Sequence, residues 1–238
     1  MYGYGYGYGL DPKLLLVLIG VALSLWAQGR VNSTFSRYSR VRSMTGMTGA
    51  EAARRLLNAQ GIYDVTVQQI AGELTDHYDP RTKTVNLSQS VYGATSVAAI
   101  GVAAHECGHA MQDNEGYAPL RFRSALVPAA NFGSKLSWPL ILLGLVFGGL
   151  GSPLVEIGIL MFSLAVLFQL VTLPVEYNAS ARAVRLLDSQ GILAGEEVSG
   201  TRKVLNAAAL TYVAAAATSI LQLLRLIILF GGRNRRDN

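Results

Sequence analysis

The segment VAAIGVAAHECGHAMQ, residues 97–112, decides how this chain is interpreted. It is rich in alanine, contains no proline and follows Ser96, a residue type that commonly caps helix N-termini, so it predicts an α-helix. Its H-E-x-x-H pattern places His105 and His109 four residues apart, on one face of that helix. Two imidazoles so placed can bind one Zn²⁺, and the chain has only one further histidine.

Glu106, beside the first histidine, is expected to point toward a water bound to the metal. Zinc lowers the pKa of such a water toward about 7, and Glu106 can take its proton during attack on a peptide carbonyl. The pattern therefore predicts a zinc-dependent endopeptidase with Glu106 as general base. The alternative is a membrane scaffold or regulatory protein that binds zinc without turnover. Glu106 argues against it, because binding metal alone does not require this carboxylate.

A catalytic zinc needs a third protein ligand and keeps one position open. No histidine follows the motif, so this ligand is expected to be a carboxylate. Glu176 is favoured because it lies at the predicted start of a helix, just where the chain re-enters the cytoplasm. The alternative is that Glu176 is an acidic residue that only stabilises the N-terminus of this helix. Ser180, one turn later, can orient a ligating histidine or be a surface serine. The other carboxylates considered are Glu156, Asp188, and Glu196 and Glu197 in a predicted loop.

Four further residues near the motif have weaker claims. His77 lies in a predicted turn, where it either stabilises the turn or stabilises an oxyanion at the zinc. Cys107 is predicted to point away from the histidines and to pack in the core. Asn86 and Ser88 belong to a predicted strand that is either an ordinary edge strand or one that pairs with an extended substrate.

The composition is typical of a membrane protein. Of the 238 residues, 51% are hydrophobic and 15% are charged, against about 25% charged in soluble domains. A single cysteine excludes a disulfide scaffold. The formal charge of +5 lies mostly beside apolar segments, where topology explains it, so no nucleic-acid partner is expected.

Apolar segments predict about four membrane crossings. Residues 14–27 form the first, residues 136–173 form a hairpin that turns at residues 151–153, and residues 204–230 form a fourth that is less clearly spanning. Basic residues follow the first crossing and flank both outer ends of the hairpin, which favours a cytoplasmic position for those ends. The basic residues concerned are Arg30, Arg37, Arg40, Arg42, Arg121, Arg123, Lys135, Arg182 and Arg185.

The fold class predicted is a mainly α integral membrane protein with a zincin-like α+β catalytic domain and a small β-sheet. Thr48 is expected to cap a helix over residues 49–59, and residues 65–69 and 82–87 to form two strands joined by a turn at residues 75–81. The expected divisions are 1–29 (Tyr-Gly-rich, flexible N-terminus and first membrane helix), 30–135 (cytoplasmic catalytic portion), 136–173 (membrane hairpin), 174–203 (cytoplasmic helix with the third ligand) and 204–238 (last helix and basic tail).

Several segments together resemble one known family. These are the run S-x-A-A-x-x-V-A-A-H-E-x-G-H-A-x-Q, the preceding LTDHYDPR and NLS, and the later PVEYNASARA and LTYVAAAATS. They resemble the bacterial membrane-bound neutral zinc metallopeptidases, which are distantly similar to gluzincins such as the CAAX prenyl endopeptidases and heat-shock membrane proteases.

The resemblance extends from about residue 45 onward and leaves out the tyrosine-glycine repeat. It implies that His105, His109 and Glu176 bind zinc and that Glu106 is catalytic. It also implies a multi-pass protein of the bacterial plasma membrane that acts on a peptide or membrane-protein substrate. The basic residues beside the crossings place the expected active site in the cytoplasm. The residue four after the third ligand is commonly aspartate in related gluzincins, whereas Ser180 stands there in this chain.

Overall fold

The computed structural model describes residues 11–150 and 152–230. The tyrosine-glycine repeat and the basic tail lie outside these residues. The described elements, in chain order, are α1 (Pro12–Ser39), α2 (Gly49–Ala59), β1 (Thr66–Ile70), β2 (His77–Asp79), β3 (Thr84–Ser88), α3 (Gln89–Tyr92), α4 (Val97–Asn114), α5 (Ala118–Gly148), α6 (Pro153–Ser189) and α7 (Glu196–Phe230).

Four of these helices, α1, α5, α6 and α7, are long and apolar enough to cross a membrane. They include the final helix, which the sequence left less certain, and α5 and α6 form the two arms of the predicted hairpin. These helices and the small three-stranded sheet confirm the prediction of a mainly α membrane protein with about four helices able to span a membrane.

The chain forms two compact units, each with residues from the four long helices. In the described chain, the first unit contains residues 11–25, 128–150, 152–169 and 214–230. Small residues let its helices approach closely, as is common in membranes. The Thr218 hydroxyl of α7 donates a hydrogen bond to the Gly20 carbonyl of α1 at 3.0 Å. A Cβ added at Gly133 of α5 would lie 2.4 Å from the Met161 carbonyl oxygen of α6.

The second unit contains Trp26–Val127 and Leu170–Val213 and holds a conventional hydrophobic core. Thr48 caps α2 as predicted: its hydroxyl accepts the Glu51 N–H, and the Glu51 carboxylate accepts the Thr48 N–H in return. The apolar face of α2, including Leu56, packs with α4 and the sheet in this core. The buried α4 is thereby held in place along its length.

The sheet differs from the predicted pair of strands joined by a turn. Its order is β1-β3-β2, with β1 parallel and β2 antiparallel to β3. The segment expected to be only a turn contains β2, a strand of three residues that sequence alternation is too short to reveal. His77 is therefore a strand residue, and Asn86 and Ser88 lie on the central strand, so the edge-strand prediction for them is wrong.

Two helix boundaries also differ from those predicted. The first membrane helix continues past residue 27 to Ser39. This extension is rich in residues of low helix propensity, and it is held by tertiary contacts, since Phe35 and Tyr38 pack against the core of the second unit. Pro174 does not begin a helix but lies inside α6, which runs from Pro153 to Ser189. Membrane helices tolerate proline when neighbouring groups satisfy the freed backbone. Glu176 is consequently in a helix interior, and its alternative role at a helix N-terminus is excluded.

The predicted loop at residues 196 and 197 is instead the first turn of α7. Glutamates favour this position because their charge complements the helix dipole. The Glu197 carboxylate also accepts the N–H of Met44 at 2.7 Å, so it is engaged in structure rather than at the metal motif.

Candidate metal centre

Two helices bring His105, His109 and Glu176 together. One ligand atom from each of these side chains lies within 4.8 Å of the others. The Glu176 Oε2 atom lies 3.2 Å from His105 Nε2 and 3.5 Å from His109 Nε2. Glu176 is 2% exposed and His109 is 8% exposed. Two imidazole nitrogens and one carboxylate oxygen are the donor set of a His₂Glu zinc site, so these residues fit a zinc ion.

The second ring nitrogen of each histidine has a hydrogen-bond partner. The Ser180 hydroxyl lies 3.1 Å from His105 Nδ1, the contact expected of a serine one turn after Glu176. His109 Nδ1 lies 3.0 Å from the Gln112 side-chain oxygen, and the Gln112 amide donates to the Val175 carbonyl and the Asn178 side chain. Both rings are therefore oriented with Nε2 toward Glu176, as ligating histidines usually are.

Gln112 is fully buried and was not predicted as a site residue. The signal was present in the sequence, since Gln112 lies three residues after His109 and hence on the same side of the helix. It connects α4 to α6 by two hydrogen bonds at the depth of the metal centre.

Gly108 sets the distance between α4 and α6. A Cβ added there would lie 2.6 Å from the Ala179 carbonyl oxygen and 3.0 Å from Ala179 Cα. Real side chains do not approach backbone atoms so closely, so only glycine allows this contact. The histidines next to Gly108 reach Glu176 and Ser180 because the two backbones touch at this point.

Glu106 is 7% exposed and lies between the metal cluster and the sheet. Its Oε2 atom accepts the Tyr78 N–H of β2 at 3.0 Å. That N–H points away from β3, so the outer edge of β2 faces Glu106. The strand edge beside the site is therefore that of β2, whereas β3, which carries Asn86 and Ser88, is paired on both sides.

Asp76 connects the end of β3 to the site. Its carboxylate accepts hydrogen bonds from the Ser88 N–H at 2.8 Å and from the Ser88 hydroxyl. Burial raises the pKa of Asp76, and the Ser88 hydrogen bonds oppose that shift. Ser88 is therefore held by Asp76, a residue that lines the cavities at Glu106.

His77 uses both ring nitrogens within its own loop and sheet. Nδ1 lies 2.9 Å from the Thr75 carbonyl oxygen, and Nε2 lies 3.2 Å from the Asn86 side-chain amide. A carbonyl only accepts, so Nδ1 carries the proton and Nε2 accepts from Asn86. In this arrangement His77 directs no N–H into the site, and the geometry favours its stabilising role over an oxyanion role.

Cys107 is fully buried against α2, with its Sγ atom 3.6 Å from the Ala53 carbonyl oxygen. Burial raises the pKa of its thiol, so the reactive thiolate form is disfavoured. This is the packing role predicted for the cysteine.

Two cavities meet at the metal cluster. One has a volume of about 320 Å³ and includes apolar side chains such as Leu74 and Val102. The other, of about 290 Å³, has a more polar lining that includes Tyr78 and Arg123. The residues lining both are Asp76, His105, Glu106, Glu176 and Tyr212. The cluster is therefore open from two directions.

Arg123 and Tyr212 are site residues that the sequence analysis did not identify as such. Arg123 Nη1 lies 3.7 Å from Glu176 Oε1, and its buried Nε atom has no hydrogen-bond partner in the described residues. The Tyr212 phenol interacts with Glu176. In the sequence, Arg123 is identified only as a basic residue beside a crossing and Tyr212 only as part of the family-like segment LTYVAAAATS, because neither has a motif spacing relative to residues 105–109.

Comparison with known proteins agrees with this geometry. The family model described as "Putative neutral zinc metallopeptidase" matches residues 13–231. The "Putative membrane protease YugP" of Bacillus subtilis (strain 168) is 48% identical over 224 residues, which are 94% of this chain and 98% of that protein. No solved structure gives a significant match. Zn²⁺ is the metal of this family, and the His105, His109 and Glu176 cluster fits it. Because the family model and this relative both match nearly the whole chain, the chain belongs to the membrane-bound neutral zinc metallopeptidases that its H-E-x-x-H segment resembles.

Proposed function

We propose that the protein is a membrane-embedded zinc endopeptidase in which His105, His109 and Glu176 hold the metal. The observation that carries the proposal is the convergence of two Nε2 atoms and one carboxylate oxygen, with both Nδ1 atoms already engaged. When bound, zinc supplies a Lewis acid that makes water nucleophilic near neutral pH. The residues around it then determine which reaction is promoted.

Glu106 is the general base in this proposal. Its Oε2 atom is fixed by the Tyr78 N–H, which leaves Oε1 to accept a proton from the attacking water and to return it to the leaving amine. A zinc scaffold would not require a carboxylate in this place. The buried, oriented position of Glu106 therefore supports turnover rather than metal storage alone.

Two donors next to Glu176 suit the negative charge that develops on the substrate carbonyl. Arg123 has a guanidinium nitrogen without a partner among the described residues, and Tyr212, whose phenol interacts with Glu176, lines both cavities at the cluster. Preorganised donors of this kind stabilise an oxyanion. We assign this role to Arg123 and Tyr212 in place of His77.

The substrate is an extended peptide segment. At the outer edge of β2 the Tyr78 N–H is taken by Glu106, so an extended chain can add there only through the main-chain groups of β2 that Glu106 leaves free. The cavities on either side of the metal cluster give the chain room before and after the cleaved bond. Because four helices of the protein are membrane-spanning in length and composition, membrane proteins are the nearest source of such segments.

The decisive test combines metal analysis with cleavage. Purified full-length protein should contain one zinc per chain and cleave an unbiased peptide library, and Glu176→Ala should lose both zinc and cleavage. Glu156→Ala is the matched control, since Glu156 lies in the same helix but is exposed. If Glu176→Ala kept full zinc occupancy, the ligand assignment would be wrong. If zinc-loaded wild type cleaved no peptide, the scaffold alternative would be favoured.

We also propose that the site faces the cytoplasm. His105 precedes α5 and Glu176 follows the apolar part of α6, so two crossings separate residues that meet at one metal. The basic residues at the end of α1 favour a cytoplasmic position for that end.

A membrane-impermeant thiol reagent on intact cells tests this orientation. Single cysteines at the exposed residues Met44, Leu150 and Ser189 should be labelled at Leu150 only, because the turn between α5 and α6 is then outside. The wild type is the control, since its buried Cys107 should not react. Labelling at Met44 or Ser189 in intact cells would show that the orientation proposed here is wrong.

A further inference from the structure

A third cavity, separate from the two at the metal centre, has a basic lining. It has a volume of about 680 Å³ and lies between one face of α1 and one face of α7, with a side chain of α6 beside it. On α1, Arg30 and Arg37 are seven residues apart and so share a face; on α7, Lys203 and Asn206 share another. None of the residues that touch the metal cluster lines this cavity.

The charge around this basic cavity is uncompensated. Arg30, Arg37 and Lys203 line it, and none of its lining residues is a carboxylate. Within residues 11–150 and 152–230, no ion pair is recorded for these three cations. Three cations on one concave surface create a positive potential that attracts a multivalent anion. Arginine in particular matches the oxygens of a phosphate group.

Neutral donors complete the lining. Tyr38, Tyr177 and Asn206 supply two phenols and an amide. The Tyr38 ring lies directly against α7, because a Cβ added at Gly200 would be 2.6 Å from the ring. The α1 and α7 faces are therefore held together beside the cavity, while the Arg30, Arg37 and Lys203 side chains on these faces remain exposed.

The position of the cavity along the chain indicates the source of the phosphate. Arg30 lies one helical turn after Trp26, which is 54% exposed at the end of the apolar part of α1. Exposed tryptophan is typical of the membrane–water interface. Tyr177 and Lys203 likewise lie just outside the apolar parts of α6 and α7. Lipid headgroups occupy this depth. We propose that the basic cavity binds the phosphate of an anionic phospholipid headgroup.

Lipid titration of the purified full-length protein tests the proposal. In neutral detergent, with bound lipid counted by native mass spectrometry, phosphatidylglycerol should bind more tightly than phosphatidylcholine. The double variant Arg30→Gln/Arg37→Gln should weaken phosphatidylglycerol binding at least about tenfold, and Lys203→Gln about fivefold. Arg40→Gln/Arg42→Gln is the matched control, because it removes the same charge just beyond α1 and outside the lining; it should change binding less than about twofold.

The outcomes separate the sources of the anion. Equal losses in the two double variants would show general charge attraction and overturn the site. Glycerol phosphate binding as tightly as the lipid would show a soluble-phosphate site and overturn the lipid assignment, as would an acidic peptide that displaces the lipid. If the double variant fails to fold, Lys203→Gln decides alone, and unchanged lipid binding in it contradicts the proposal. The result is independent of peptidase activity.

Discussion

Glu106→Gln should slow peptide cleavage by orders of magnitude while leaving the zinc content and the fold unchanged. Glutamine keeps the size of the side chain and can still accept the Tyr78 N–H through its amide oxygen. It cannot take up a proton from water near neutral pH, so the rate should fall by about 10²–10⁴-fold. Cleavage of a peptide found with the wild-type enzyme, measured at equal zinc occupancy, gives the result.

The matched control for this experiment is Glu73→Gln. Glu73 is exposed and lies outside both cavities at the metal cluster, so its variant should cleave at the wild-type rate. Retained hydrolysis in Glu106→Gln would remove the general-base role, even if His105 and His109 still bound zinc.

Gly108→Ala should lower both the stability of the protein and its affinity for zinc. The added methyl group would lie 2.6 Å from the Ala179 carbonyl oxygen, and backbone atoms at this point cannot rotate away. The helices α4 and α6 must separate, at a cost of about 1–3 kcal/mol for an overpacked site. Because the two histidines lie on α4 and Glu176 on α6, the zinc affinity should fall as well. Thermal unfolding and competition with a zinc chelator measure the two effects.

Gly29→Ala is the control for that change. Gly29 also lies in a helix, but a Cβ added there meets no atom within 4 Å. Alanine favours helix more than glycine, so this variant should be as stable as wild type or slightly more so. A Gly108→Ala protein with wild-type stability and zinc affinity would show that the contact between α4 and α6 can relax without consequence.

The sequence predicted those parts of the structure that have strong local signals. The spacing of His105 and His109, the cap at Ser96, the Thr48 capping box and the apolar segments each depend on a few neighbouring residues. Glu176 was predicted because a catalytic zinc needs a third ligand and because the family resemblance implies it, and Ser180 because it lies one turn later. The structure brings both residues to the histidines.

The remaining features depend on tertiary contacts that have no local pattern. The strand β2 is three residues long and forms because β3 offers it a free edge. Proline usually breaks or begins a helix in a water-soluble protein, but α6 continues through Pro174. Arg123 and Tyr212 reach the cluster only because α5 and α7 pass near it, and no spacing in the sequence relates them to residues 105–109.

The separation of 71 positions between His105 and Glu176 in the sequence has a consequence for biosynthesis. While the ribosome is still making α5, the emerging chain carries both histidines and Glu106 but lacks its third ligand. The cluster can close only after α6 has been synthesised. A half-made chain therefore carries both histidines without a complete metal centre.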